Sequence, residues 1–91
     1  MSTPLSVSVI SPEKVLFSGS ARAVVAPAFD GEIGILAMHA PLMTVLGRGI
    51  LRVETAEGER RFTIDGGFLQ VVDDSVRVVT ERAQDMGRPA A

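Results

Sequence analysis

A chain of 91 residues with four phenylalanines, no tryptophan or tyrosine and a formal net charge of −2 offers neither the basic patch nor the stacking aromatics that nucleic-acid binding uses. It has no cysteine, which excludes disulfides, thiolate nucleophiles and Cys-ligated zinc. One domain fits this length, and folding then buries only about 60–65% of the surface the unfolded chain exposes, so a partner that covers apolar surface would add to a modest stability.

The start, Met1-Ser2-Thr3-Pro4, lacks the basic and hydrophobic regions of a signal peptide. Leu5, Val7 and Val9 alternate with Ser6 and Ser8, the period of a strand with one apolar face, and Ser11-Pro12-Glu13 ends it. Val15-Leu16-Phe17 with Ser18-Gly19 reads as a short strand and a turn. Ala21 to Ala26 reads as the next strand, with Arg22 outward and Pro27 as its stop. Ala28 to Gly31 is expected as a loop.

Asp30-Gly31-Glu32-Ile33-Gly34-Ile35-Leu36-Ala37-Met38-His39-Ala40-Pro41-Leu42 opens an apolar run that carries no formal charge until Arg48. The uncharged stretch from Ile33 to Gly47 is shorter than the roughly 20 residues of a membrane-spanning helix and contains Pro41. A small domain has little interior for such a run, so part of it is expected to face a partner protein. Met38 and Met43, with flexible thioethers, suit either a core gap or a contact surface.

From Gly49 onward the chain becomes a meander. Ile50–Thr55, Arg60–Asp65, Phe68–Val72 and Val76–Glu81 are strand candidates, and Leu51 and Val53 are expected to point inward. Ala56-Glu57-Gly58-Glu59, Asp65-Gly66-Gly67 and Asp73-Asp74-Ser75 supply the turns between them, which makes neighbouring strands antiparallel. No window of helical periodicity is free of Gly or Pro. The fold class expected is all-β, a flattened antiparallel β-sandwich or barrel of about eight to ten short strands with no substantial helix. Residues 1–83 form the sandwich in this reading, and residues 84–91 a frayed tail.

Chemistry finds little support. His39 is the single histidine, with no serine or cysteine motif to act upon, and reads as a structural or contact residue. Asp30 and Glu32, two apart, could converge as paired carboxylates or join His39 around a divalent ion, yet they fit solvated loop charges or the polar rim of an interface better. Gly47-Arg48-Gly49 and Asp65-Gly66-Gly67 are too short for phosphate-cradling loops, and Arg60-Arg61 reads as a solvated strand start.

Gly31-Glu32-Ile33-Gly34-Ile35, His39-Ala40-Pro41-Leu42, Phe17-Ser18-Gly19 and Gly66-Gly67-Phe68-Leu69-Gln70-Val71 together resemble the epsilon-subunit family of F-type ATP synthases, over about Leu5 to Arg82 of its N-terminal β-sandwich. The resemblance implies a non-catalytic rotor subunit with no cofactor and no nucleic-acid partner. Such a subunit is clamped to the gamma subunit, rests on the membrane c-ring, and couples ion translocation to ATP synthesis. It sits peripherally on the cytoplasmic face of the plasma (inner) membrane, held there by protein partners. Carried onto matching residues, Glu32 lies near the c-ring loops with Asp30 and Gly31 beside it, while His39 lies on the surface that meets gamma; Ala40 and Pro41 are further expected partner contacts. Most members of the family continue into two antiparallel C-terminal helices. This sequence stops soon after Ala83-Gln84-Asp85-Met86, so the expectation is coupling without the autoinhibitory or ATP-binding role of long forms. The competing readings are a free-standing ligand-binding module with the 30–42 segment as its mouth, and a metal-dependent enzyme on Asp30, Glu32 and His39.

Overall fold

Period-two burial runs through most of the chain, and the computed structural model, which describes residues 4–87, resolves it into ten strands. They are β1 (Leu5–Ile10), β2 (Val15–Ala21), β3 (Ala23–Ala28), β4 (Gly31–Leu36), β5 (Leu42–Val45), β6 (Arg48–Thr55), β7 (Gly58–Asp65), β8 (Phe68–Val72), β9 (Ser75–Val79) and β10 (Ala83–Gly87). The described residues hold no helix. Two five-stranded sheets form, in the orders β2-β1-β9-β8-β5 and β10-β7-β6-β3-β4. Val7, Val9, Val24, Leu51, Val53, Phe62, Leu69 and Val76 fill the space between them, so the inward expectation for Leu51 and Val53 holds. The β-sandwich expected from the sequence is the fold observed.

Several local expectations are corrected. Gly19 takes no positive φ, so Ser18-Gly19 stays extended inside β2, and the chain bends instead at Arg22, where it passes from one sheet to the other. Pro27 does not stop β3 but lies within it, buried and opposite Glu32 of β4. The Asp30–Leu42 segment is not one loop: it is a turn, the whole of β4 and a second turn. β4 obeys the strand rule, since Ile33 and Ile35 turn inward while Glu32 and Gly34 are exposed. Residues 83–87, expected mostly as tail, form β10 paired to β7, and residues 88–91 lie outside the described residues.

One neighbouring pair departs from the antiparallel pattern. β1 runs parallel to β9, with Ser6 opposite Ser75 and Ile10 opposite Val79, because the first strand is inserted beside the last strand of its sheet. Buried polar groups are satisfied where the sheets exchange chain. The Thr80 hydroxyl donates to the Gly66 carbonyl at 2.8 Å, with the Arg82 carbonyl as a second acceptor at 2.9 Å.

Candidate functional site

The strand directions sort the turns into two groups at opposite ends of the sandwich. Phe29-Asp30, Ser11 to Lys14, Leu46-Gly47, Gly66-Gly67 and Thr80 to Arg82 gather at one end. Ala37 to Pro41, Asp73-Asp74 and Ala56-Glu57 gather at the other. Asp30 and His39 are therefore separated by the length of β4, roughly 20 Å at a strand's rise per residue. The six residues singled out from the sequence do not form one site: Asp30, Gly31 and Glu32 belong to the first end, His39, Ala40 and Pro41 to the second.

This separation removes the shared metal site, and no cluster of three or more potential ligands occurs among the described residues. The 30–42 segment is likewise not a single loop but a turn, β4 and a second turn. An open depression of about 430 Å³ lies beside Ile50, Thr63 and Gln84 on β6, β7 and β10, away from that segment.

At the first end Asp30 and Gly31 are exposed, and Gly31 has φ 132°, a conformation that disfavours any side chain. Glu32 is not a bare loop charge. It lies on the outer face of β4 and accepts from Arg52 Nη2 at 3.2 Å, reaching across β3. Arg22 with Glu54 and Arg48 with Asp65, each at 3.3 Å, give the same face two more exposed ion pairs.

The outer face of the other sheet is different, and the sequence reading missed it. Its cross-strand register lines up Val15, Ile10, Val79, Phe68 and Val45 in one row across all five strands. Val15, Phe68 and Val45 in this row are exposed. The row continues to exposed Phe29, whose N–H donates to the Val45 carbonyl at 3.1 Å, and so reaches the Asp30 turn. The next row along the strands is polar: Ser18, Ser8, Arg77, Gln70 and then Met43. An apolar band edged by polar residues is the anatomy of a protein-binding surface. Each member is a lone outward apolar residue in sequence, and only the register, including the parallel β1–β9 pair, joins them.

At the second end Leu36, Met38 and Met43 are exposed, and His39 is half-buried with its Nδ1–H donating to the Ala40 carbonyl at 2.7 Å. The uncharged run thus divides: Ile35 and Leu46 enter the core, whereas Leu36, Met38, Met43 and Val45 face outward.

The family model described as the ATP synthase Delta/Epsilon chain, beta-sandwich domain, matches residues 4–86. This chain belongs to that family. Among curated relatives, the ATP synthase epsilon chain of Leptospira borgpetersenii is 43% identical over 77 residues, covering 85% of this chain and 61% of the relative. The ATP synthase epsilon chain of Alkalilimnicola ehrlichii is 43% identical over 95 residues, covering all of this chain (100%) and 67% of the relative. The chain thus spans about three fifths of the length of the Leptospira epsilon chain. A chain in the cryo-EM structure of Euglena gracilis mitochondrial ATP synthase, OSCP/F1/c-ring in rotational state 1, superposes with a TM-score of 0.83 at 27% identity, over 90% of this chain and 53% of that one. A chain from the central stalk/c-ring of Tetrahymena thermophila mitochondrial ATP synthase, 17% identical with a TM-score of 0.76 over 92% of this chain and 68% of that one, shares the fold. The epsilon-family β-sandwich expected from the sequence is confirmed by the match over residues 4–86.

Proposed function

We propose that this β-sandwich is the non-catalytic central-stalk element that joins the gamma subunit to the membrane c-ring of an F-type ATP synthase and so couples ion translocation to ATP synthesis. The observation that carries the reading is the apolar row Val15–Ile10–Val79–Phe68–Val45, continuous with Phe29 and the Asp30 turn, on a chain of the epsilon family. A rotor coupling needs a stiff body with a greasy contact on one side, and close packing between two hydrogen-bonded sheets supplies the stiffness. The row takes gamma. The exposed turn of Asp30 and Gly31, with Glu32 beside it, takes the polar loops of the c-ring, and the His39–Pro41 loop extends the gamma contact to the other end of the molecule. The subunit is then peripheral to the membrane through its protein partners, on the cytoplasmic face; among the described residues no helix is long and apolar enough to cross a bilayer. The described residues are strand and turn, and the sandwich by itself is proposed to couple rotor parts without braking hydrolysis.

The test is binding of purified gamma to this chain. Val45→Lys, at an exposed position on an edge strand, is expected to leave the melting temperature within a few degrees and weaken gamma binding at least tenfold. Unchanged binding removes the row from the interface. ATPase rates of the catalytic head with and without the chain test the braking claim, which fails if the chain inhibits strongly.

A further inference from the structure

Among the described residues three that are not glycine take a positive φ: Met38 at 69°, Asp73 at 50° and Asp74 at 60°. All three meet at one junction. Asp73 and Asp74 are the central residues of the β8–β9 turn, a geometry with both φ values positive that glycine and asparagine fill most easily. The Asp74 carboxylate Oδ1 accepts the backbone N–H of Met38 at 2.7 Å, bridging 36 residues of sequence and the gap between the sheets. The Asp74 carbonyl accepts from Ser6 N–H at 2.8 Å, which fixes the turn against β1. Backbone strain of this kind persists where the surroundings enforce it, and it gathers at functional contacts.

The clasp holds an unusual object. Met38 is 84% exposed, beside exposed Leu36 and just before His39, so a large flexible apolar side chain stands in solvent on a loop whose backbone is pinned in a left-handed conformation. We propose that Asp74 is a positioning residue for docking: its carboxylate sets the Ala37–Pro41 loop so that Met38 and His39 are presented, already ordered, to the gamma subunit of the rotor reading. The proposal rests on the rotor reading above and adds the residue that preorganises its second contact. Asp74 itself touches no partner. Its effect on affinity comes from the fraction of chains whose loop is set before encounter.

Two substitutions separate positioning from stability. Asp74→Gly relieves the positive φ and keeps the backbone bond to Ser6, but leaves the Met38 N–H with no acceptor. Asp74→Asn tolerates the same φ and retains an amide oxygen in place. Hydrogen exchange at the Met38 amide of the isolated chain is expected to speed up about tenfold in Asp74→Gly and to stay near wild type in Asp74→Asn. The melting temperature of Asp74→Gly is expected to be no lower than wild type. Its affinity for purified gamma is expected to fall about five- to tenfold, while Asp74→Asn stays within about twofold. A Met38 amide in Asp74→Gly as protected as in wild type overturns the clasp, and fast exchange with unchanged gamma affinity overturns its docking role. Wild-type chain that fails to bind gamma overturns the rotor reading and takes the docking role with it, while the exchange data still decide whether the clasp exists.

Discussion

Gly67 lies flat against the backbone of Val79: a β-carbon on residue 67 would overlap the Val79 carbonyl and come within 2.7 Å of the Thr80 Cα. With φ at 115°, the position excludes a side chain twice over. Gly67→Ala is expected to cost about 3 kcal/mol or more in urea unfolding. Gly66→Ala is the matched comparison, because φ is also positive there, at 82°, but nothing lies within 4 Å. It should cost about 1 kcal/mol. Equal losses would show that backbone strain alone governs this corner.

Val53→Asp should unfold the domain. Val53 is wholly buried and opposite Val24 of β3 and Arg60 of β7 in its register. The Arg60 guanidinium is already engaged by Asp85 and by the Phe17 and Phe62 rings, so a carboxylate at residue 53 is buried without a free cation and costs several kcal/mol, about as much as a small domain has. Circular dichroism should show loss of the cooperative thermal transition.

Glu32→Lys separates folding from coupling. Removing the exposed Arg52 pair costs less than about 1 kcal/mol, and a cation beside Arg52 adds a small repulsion. The melting temperature should move only a few degrees, while ATP synthesis driven by an ion gradient in reassembled membranes should fall. Normal coupling would take Glu32 off the proposed c-ring contact.

Arg60→Ala should loosen the last strand. The Arg60 guanidinium lies 5.7 Å from the Phe17 ring centroid and 5.4 Å from that of Phe62, and it pairs with Asp85 of β10. Phe17 and Phe62 themselves meet edge to face at 6.4 Å. This arrangement ties β10 to β7 and across to β2. Its loss should cost about 1–2 kcal/mol and speed amide exchange of Gln84 to Met86 ahead of Leu51 to Val53.

Much of the architecture is legible in the amino-acid order. Leu5, Val7 and Val9 announce β1, and Phe68–Val72 is read with its observed limits, because alternation and turn residues act locally. What is lost depends on distance. β10 has no apolar alternation to reveal it, since Gln84, Asp85 and Met86 are all exposed and part of its hold is the Arg60 pair with Asp85. β5 reads as an uncharged, mostly apolar stretch, Leu42-Met43-Thr44-Val45, with too little polar alternation to tell inside from outside. The ATP synthase resemblance pointed to Asp30, Glu32 and His39. That these stand at opposite ends follows only from a strand running between them, and the row through Ile10 and Val79 follows only from a parallel pairing that no local rule announces.

That pairing also sets a schedule. The first strand waits for a neighbour made about seventy positions later, between Ser6 and Ser75, and contacts this remote in sequence form slowly. A ribosome releasing the chain in order therefore exports half a sheet with a raw edge, and the band that gamma is proposed to grip does not exist until Val79 has emerged and slid in beside Ile10. Recognition through that proposed band would then double as an inspection of folding, since an incomplete chain displays the same side chains scattered.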